Sequence, residues 1–97
     1  MRRREVLRMG ELRGRRITDS EYPIDPRDFK AGDYAIVSRA GQRELWFRDP
    51  LGAVGRVIHH TITEHDDGTV TVNPSIMVEG NPAGVFHGWL KQGVWTW

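Results

Sequence analysis

The stretch that decides the fold is residues 61–72, which read TITEHDDGTVTV. β-Branched residues alternate with polar ones on both sides of residues 66–68, Asp-Asp-Gly, a group typical of a tight turn. With Gly68 in the left-handed region, these three residues form a hairpin loop that pairs Ile62 with Val72. Because strand side chains alternate, that pair lies on an apolar face turned towards the core.

Turn residues separate short apolar runs on both sides of this hairpin. Further strands are predicted over residues 34–38, 44–48, 56–64 and 69–72, with a last hairpin over residues 85–97. Residues 25–32 carry an N-cap residue, a proline at the first helical position and a glycine at the exit, which predicts one helical turn near residues 26–31. Asn73 and Pro74 should end regular pairing or force a bulge. Tight turns favour an all-β or β-rich α+β fold, an antiparallel meander of five to six strands forming a small roll or sandwich.

Composition predicts one small domain. The chain has 97 residues and no cysteine, which excludes disulfides and thiolate metal sites. No apolar run approaches the ~18 residues that a membrane span needs, and no signal-peptide core follows the first arginines. We expect a basic N-terminal arm over residues 1–18 and a single β-rich domain over residues 19–97.

The formal net charge of +1 conceals an uneven distribution. Residues 1–16 hold seven arginines against two glutamates, a net charge of +5, which leaves −4 on the rest of the chain. Arginine pairs with phosphate or carboxylate in a bidentate manner, so the arm is predicted to bind an anionic partner. The candidate contacts are Arg2, Arg3, Arg4, Arg8, Arg13, Arg15 and Arg16. A solvated terminus, or an arm lying on the chain's own acidic body, would explain the same composition.

The last hairpin carries three of the four tryptophans. A three-residue loop at residues 91–93 would pair Trp89 with Trp95 and gather one aromatic patch on a single face. That patch would consist of His87, Trp89, Trp95 and Trp97. A two-residue loop would shift the register by one residue and break the patch. Core packing and a surface contact remain alternative roles for these side chains.

No residue pattern indicates an enzyme. The chain lacks Gly-x-Ser-x-Gly, His-Glu-x-x-His and phosphate-loop motifs. His59 and His60 point to opposite faces of a strand, and His59 lies about 20 Å along the strand from His65. We therefore predict no catalytic residues, no metal site and no cofactor, and keep as an alternative a small metal-dependent enzyme using His87 with His60 or His65. Three serines have no recognisable base spacing: Ser20, Ser38 and Ser75.

Two motifs in the C-terminal half recur together. Residues 74–76 read Pro-Ser-Ile after the Gly-Thr hairpin, and residues 87–95 read HGWLKQGVW. This pattern of Pro-Ser-Ile followed by His-Gly-x-Leu-x-x-Gly-x-Trp resembles a family of small uncharacterised phage, prophage and bacterial proteins. The resemblance covers about two thirds of the chain and leaves out the arm. It implies a phage or mobile-element origin and a compact β-rich domain, and it implies no established activity.

Charge and resemblance together lead to one functional expectation. We expect a phage-encoded, non-enzymatic binding protein whose arm contacts an anionic partner, either nucleic acid or an acidic host or phage protein, without a membrane. The alternative is a virion or assembly component in which the arm ties one subunit to the next. A homo-oligomer fits both. The expected location is the cytoplasm of the host cell, or the virion for a structural component.

Overall fold

The described residues, 10–18 and 23–97 of a computed structural model, form nine short strands in two sheets. The strands are β1 (Glu11–Arg13), β2 (Arg15–Arg16), β3 (Asp33–Arg39), β4 (Gln42–Arg48), β5 (Val54–Val57), β6 (Thr61–Glu64), β7 (Val70–Val78), β8 (Phe86–Lys91) and β9 (Val94–Thr96). The first sheet has the order β2-β3-β4-β5 and the second the order β1-β9-β8-β7-β6. Neighbouring strands pair antiparallel, apart from the parallel pair β2–β3. The predicted all-β class is confirmed.

The predicted short helical turn is also present. Pro26–Asp28 form a 3₁₀ turn, and the backbone N–H of Arg27 donates to the Asp25 carboxylate at 3.0 Å. The buried Phe29 follows this turn, which contacts β4 of the first sheet. A capping acceptor followed by proline therefore identified a real helical start.

The strand count exceeds the predicted five to six because of two segments. The predicted run of residues 56–64 is divided, since the chain leaves the first sheet after Val57, bends, and enters the second sheet at Thr61. Chains that switch from one sheet to the other do so through bulges or bends, and here residues 58–60 bend between the two strands. The other two strands, β1 and β2, come from the segment predicted as an arm.

Residues 10–16, which we call the clasp, pair with an edge strand of each sheet. β1 pairs with β9 at the edge of the second sheet, and β2 pairs with β3 at the edge of the first. Gly14, between them, donates its N–H to the carbonyl of Gly93 at 2.7 Å. Leu12 packs against the core between the sheets. The second half of the predicted arm is therefore part of the sandwich.

The core lies between the inner faces of the two sheets. The first sheet contributes Tyr34, Leu45 and Phe47, and the second contributes Ile62, Val70, Val72, Ile76, Phe86, Leu90 and Trp95. The ring of Trp95 lies 5.5 Å from that of Phe47 and 5.7 Å from that of Phe86. Its indole N–H donates to the carbonyl of Gly32 at 2.9 Å, so the one polar atom of this buried ring is satisfied.

The hairpin that decides the fold has the predicted register. Ile62 pairs with Val72, and Gly68 has φ +85° in the left-handed region. Beyond it, the register of β7 against β8 shifts between Val72 and Ile76, so that residues 73–75 bulge. Proline has no N–H to donate to a ladder, and of the two outcomes predicted for Pro74 the bulge is the one observed.

The last hairpin corrects the predicted aromatic patch. Leu90 pairs with Trp95 across a two-residue turn, in which Gln92 has φ +48° and Gly93 has φ +77°. Positive φ at both positions is the type I′ turn that matches the twist of paired strands, whereas the prediction used a three-residue loop. The four side chains therefore do not share one face: His87 and Trp89 lie outside, while Trp95 is buried and Trp97 packs against the core.

Candidate functional site

The outer face of the second sheet carries the largest exposed aromatic side chain. Trp89 keeps 48% of its surface exposed, because the alternation along β8 buries Phe86, Gly88 and Leu90 and turns the residues between them outwards. Its neighbours on this side of the sheet are mainly polar. We call this surface the Trp89 face, and it includes Glu11, Arg13, Thr71, Asn73, Ser75, Met77, His87, Trp89, Lys91, Val94 and Thr96.

Side-chain contacts hold the aromatic pair of this face in position. The rings of His87 and Trp89 stack with centroids 5.6 Å apart and planes at 27°. Nε2 of His87 lies 2.9 Å from Oγ of Ser75, on the bulged part of β7. The Pro-Ser-Ile and His-Gly-x-Leu motifs therefore meet at one hydrogen bond. Their separation in sequence did not indicate this contact. In the ladder His87 pairs with Met77, and Ser75 reaches His87 diagonally across the two strands.

A cleft opens next to Trp89. Its volume is about 500 Å³. Its walls include hydroxyl, amide and ammonium groups beside the indole, from Thr71, Asn73, Lys91, Thr96 and Trp89. The cleft lies along β7 and β8, next to the register shift that interrupts their pairing. An aromatic wall with several hydrogen-bonding groups suits a flat polar ligand.

The described arginines of the predicted anionic site divide into two groups. Arg15 makes two hydrogen bonds to the carboxylate of Asp33, at 2.9 and 3.3 Å, and Arg16 pairs with Glu64 at 2.8 Å. The alternative in which the arm lies on the acidic body therefore describes these two residues. Arg13 instead points outwards on the Trp89 face, where Val94 separates it from Lys91. Four predicted contacts lie outside the described residues: Arg2, Arg3, Arg4 and Arg8.

Both carboxylates that pair with the arm have lowered pKa values. For Asp33 burial acts to raise the pKa, but hydrogen bonds from Arg15 and from the Lys30 backbone outweigh it and bring the pKa below its usual value. For Glu64 the hydrogen bond from Arg16 is the largest cause of the lowered pKa. Both groups therefore stay ionised at neutral pH, and the clasp is a charged one.

The histidines of the enzyme alternative have separate partners. Nε2 of His65 lies 2.6 Å from Oγ1 of Thr71, whereas Nε2 of His60 lies 2.9 Å from the backbone oxygen of Ser75. Within residues 10–18 and 23–97 no three His, Cys, Asp or Glu side chains are grouped so as to hold a metal ion. The Ser75–His87 pair has the spacing of a nucleophile and its base, but in the described part of the chain no side chain hydrogen-bonds the other ring nitrogen to orient the base.

The polar residues of the cleft were not predicted as site residues. Alternation along residues 69–72 already places Thr71 opposite to the core-facing Val70 and Val72. The proline bulge was the other available signal, because bulges commonly redirect side chains beside binding sites. Neither signal shows that Asn73 lies close to Trp89.

Comparisons with family models, with curated proteins and with solved structures find no match to this chain. In the described residues no helix is long and apolar enough to cross a membrane.

Proposed function

We propose that this chain is a non-enzymatic, phage-encoded binding protein whose anionic partner is single-stranded nucleic acid. The observation that supports it best is the combination on the Trp89 face of an exposed, stacked indole with two cations, Lys91 and Arg13. Glu11, opposite Thr96 on the same face, reduces the net charge of these groups to +1. Single-strand binding proteins combine these same elements, since aromatic rings stack on bases and cations follow the phosphates. The resemblance to phage and prophage proteins supports the origin and a place in the cytoplasm of the host.

The seven predicted arginines then have two roles. Arg15 and Arg16 hold the clasp to the body through Asp33 and Glu64. The side chain of Arg13 makes no hydrogen bond within the part of the chain that the structure describes, and it points outwards beside Val94, a position from which a guanidinium group can bind phosphate. The remaining proposed contacts precede Gly10, whose backbone pairs with Trp97 at the end of β9: Arg2, Arg3, Arg4 and Arg8.

Deleting residues 1–16 would be a poor test, because the deletion also removes β1 and β2. Substitution in the full chain separates binding from folding. We expect a fluorescein-labelled oligothymidylate of about 15 nucleotides to bind with an affinity that falls as salt rises. Trp89→Ala should weaken binding roughly 5- to 150-fold, the equivalent of one stacked base. Val85→Ala is the control and should leave binding unchanged, since Val85 is an exposed apolar residue that precedes β8 and is not part of the Trp89 face.

The contribution of the positive charges is measured by the salt dependence of oligonucleotide binding. Lys91→Gln should reduce the slope of log affinity against log salt by about 0.7, the value for one phosphate contact on a single strand. Arg27→Gln is the control, since Arg27 is paired with Asp25 outside the Trp89 face. Absence of salt-dependent oligonucleotide binding would overturn the proposal. Salt-dependent binding of polyglutamate alone, lost in Trp89→Ala, would favour the acidic-protein partner instead.

The assembly-component alternative differs in one measurable property. The described part of the arm pairs with strands of its own chain, so contacts between subunits would fall to residues 1–9 or to the outer faces. Detection of the protein in purified particles, with a multimeric mass in solution, would favour that role. A monomer that is absent from particles would exclude it.

A further inference from the structure

A second cleft lies on the outer face of the first sheet, on the side of the molecule opposite the Trp89 face. Its volume is about 320 Å³, and the walls are largely apolar. The residues around it are Pro26, Arg39, Trp46, Val54, Gly55 and Arg56. This volume lies at the lower end of the range for ligand pockets, which suits a single ring system. Neither the fold nor the function proposed above makes use of this cleft.

Glu44 lies buried beside this cleft, with 6% of its surface exposed. Its Oε1 accepts a hydrogen bond from the indole N–H of Trp46 at 2.9 Å. The guanidinium groups of Arg56 and Arg39 approach the same oxygen at 3.7 and 4.0 Å, too far for a hydrogen bond. One carboxylate therefore faces two cations, and a net charge of +1 remains at the edge of an apolar cleft.

These two guanidinium groups differ from most other arginines of the described chain in their hydrogen bonds. Arg15, Arg16, Arg27, Arg43 and Arg48 each donate to a carboxylate or a carbonyl. The guanidinium groups of Arg39 and Arg56 make no hydrogen bond to any residue in ranges 10–18 and 23–97, although each side chain is only about half exposed, at 51% and 52%. The guanidinium carbon of Arg39 also lies 6.0 Å from the centre of the Trp46 ring, within the range of a cation–π contact.

We propose that this cleft binds a flat organic anion, an aromatic ring that bears a carboxylate or phosphate group. The ring packs against the apolar walls at Trp46, Pro26 and Val54, and the anionic oxygens accept hydrogen bonds from Arg39 and Arg56. Guanidinium suits this task because its fork of donors matches two oxygens of one anionic group. A neutral ring of the same shape leaves the charge of the two arginines uncompensated and binds more weakly.

The test follows the indole N–H signals of the four tryptophans by two-dimensional NMR during titration, with Trp46 assigned from Trp46→Phe. The probes are 2-naphthoate, its neutral counterpart 2-naphthalenemethanol, and adenosine monophosphate. We expect 2-naphthoate or the nucleotide to move the Trp46 signal in a saturable manner below about 10 mM. A response to naphthoate alone assigns a carboxylate ligand, and a response to the nucleotide alone assigns a phosphate ligand.

Arg39→Gln and Arg56→Gln should each weaken binding of the anion about tenfold, as expected for a lost charged hydrogen bond. Trp89→Ala should leave it unchanged, which separates this site from the Trp89 face even if no nucleic acid binds there. No saturable Trp46 shift with either anion, or equal binding of 2-naphthalenemethanol, would overturn the proposal. Both arginines are half exposed, so we expect the variants to fold, and dispersed amide spectra check this. Arg56→Lys is a second variant, which keeps the positive charge but loses the paired donors of the guanidinium group.

Discussion

Trp89 and Trp95 belong to one hairpin and have opposite roles. Trp95 is fully buried against Phe47 and Phe86, whereas Trp89 is half exposed and stacks on His87. The predicted register, in which Trp89 pairs with Trp95, would have placed both rings on the same face. In the structure Trp89 pairs with Thr96 instead. A shift of one residue at the turn decides which ring fills the core and which one is available to a ligand.

Gly88 lies in the His-Gly-x-Leu motif because no side chain fits there. An added Cβ would collide with the carbonyl oxygen of Thr96 and lie 2.8 Å from the ring of Phe86. We expect Gly88→Ala to lower the free energy of unfolding by about 1–3 kcal/mol, the usual cost of overpacking. Denaturant unfolding followed by tryptophan fluorescence measures this. Gly80→Ala, where a Cβ meets nothing within 4 Å, is the control, and an equal loss there would contradict the steric explanation.

Asp33 predicts a dependence of stability on pH. Its pKa lies below the usual 3.8 because hydrogen bonds to the ionised carboxylate outweigh the opposing effect of burial. A lowered folded pKa means that the stabilisation is present above pH 3.8 and is lost as the pH falls through the folded pKa. Asp33→Asn should therefore lower stability at neutral pH and flatten the decline in acid. The measurement is the free energy of unfolding of both proteins at a series of pH values from neutral to acid. A constant difference between the two proteins over that range would refute this role.

At the scale of elements, two turns have the same geometry. Arg39 pairs with Gln42 across Ala40 and Gly41, with φ +51° and +79°, and the turn at Gln92 repeats this pattern. Two-residue turns with positive φ join both hairpins, one in each sheet. The sequence identified both hairpins, but only the angles show that each loop has two residues.

These turns hold a residue that is not optimal for the left-handed region. Asparagine tolerates positive φ better than alanine or glutamine, and Asn-Gly is the preferred pair for a type I′ turn. We expect Gln92→Asn and Ala40→Asn each to stabilise the protein by up to about 1 kcal/mol, a part of the ~1–2 kcal/mol that the left-handed conformation costs an ordinary residue. Thermal unfolding of the single and double variants would show additive gains, since the turns lie in different sheets. A loss in either single variant would argue against the turn type.

Element boundaries were predictable where local chemistry decides them. The Asp-Asp-Gly loop and the proline-led helical turn were predictable, because each depends on side chains within a few residues. For Pro74 the sequence predicted either an end of pairing or a bulge, and the structure has the bulge. The division of residues 56–64 into two strands could not be predicted from sequence, because it arises where the chain passes from the first sheet to the second. The cleft at Trp46 was not predicted either, because its walls come from three different strands.

At the scale of the whole molecule, the clasp joins the two sheets along their edges. β1 extends the second sheet and β2 extends the first, so residues 10–16 cover one edge of each. Uncovered strand edges are sites of association between molecules. The clasp therefore protects the sandwich as well as stabilising it.

Removal of the clasp should destabilise the protein. Deletion of residues 1–16 loses the packing of Leu12 and the ion pairs to Asp33 and Glu64, and we expect the free energy of unfolding to fall by at least about 2 kcal/mol. Size-exclusion chromatography should show self-association through the uncovered β9 and β3. The full chain with its first four arginines changed to glutamine keeps both strands and is the control. Equal unfolding midpoints for deletion and wild type would show that the clasp adds nothing.

The sequence by itself determined the class of fold, the central hairpin with its register, and the charge difference between the N-terminal segment and the body. These follow from alternation, turn chemistry and composition, which act over a few residues or depend on no geometry at all. The tertiary structure alone decided which tryptophan is exposed, that Ser75 meets His87, and that Arg15 and Arg16 pair with the body. It also decided that the guanidinium groups of Arg39 and Arg56 face Glu44 without a hydrogen bond to any described residue. Each of these depends on how residues distant in sequence pack, and a one-residue change in register reverses the direction of every side chain that follows.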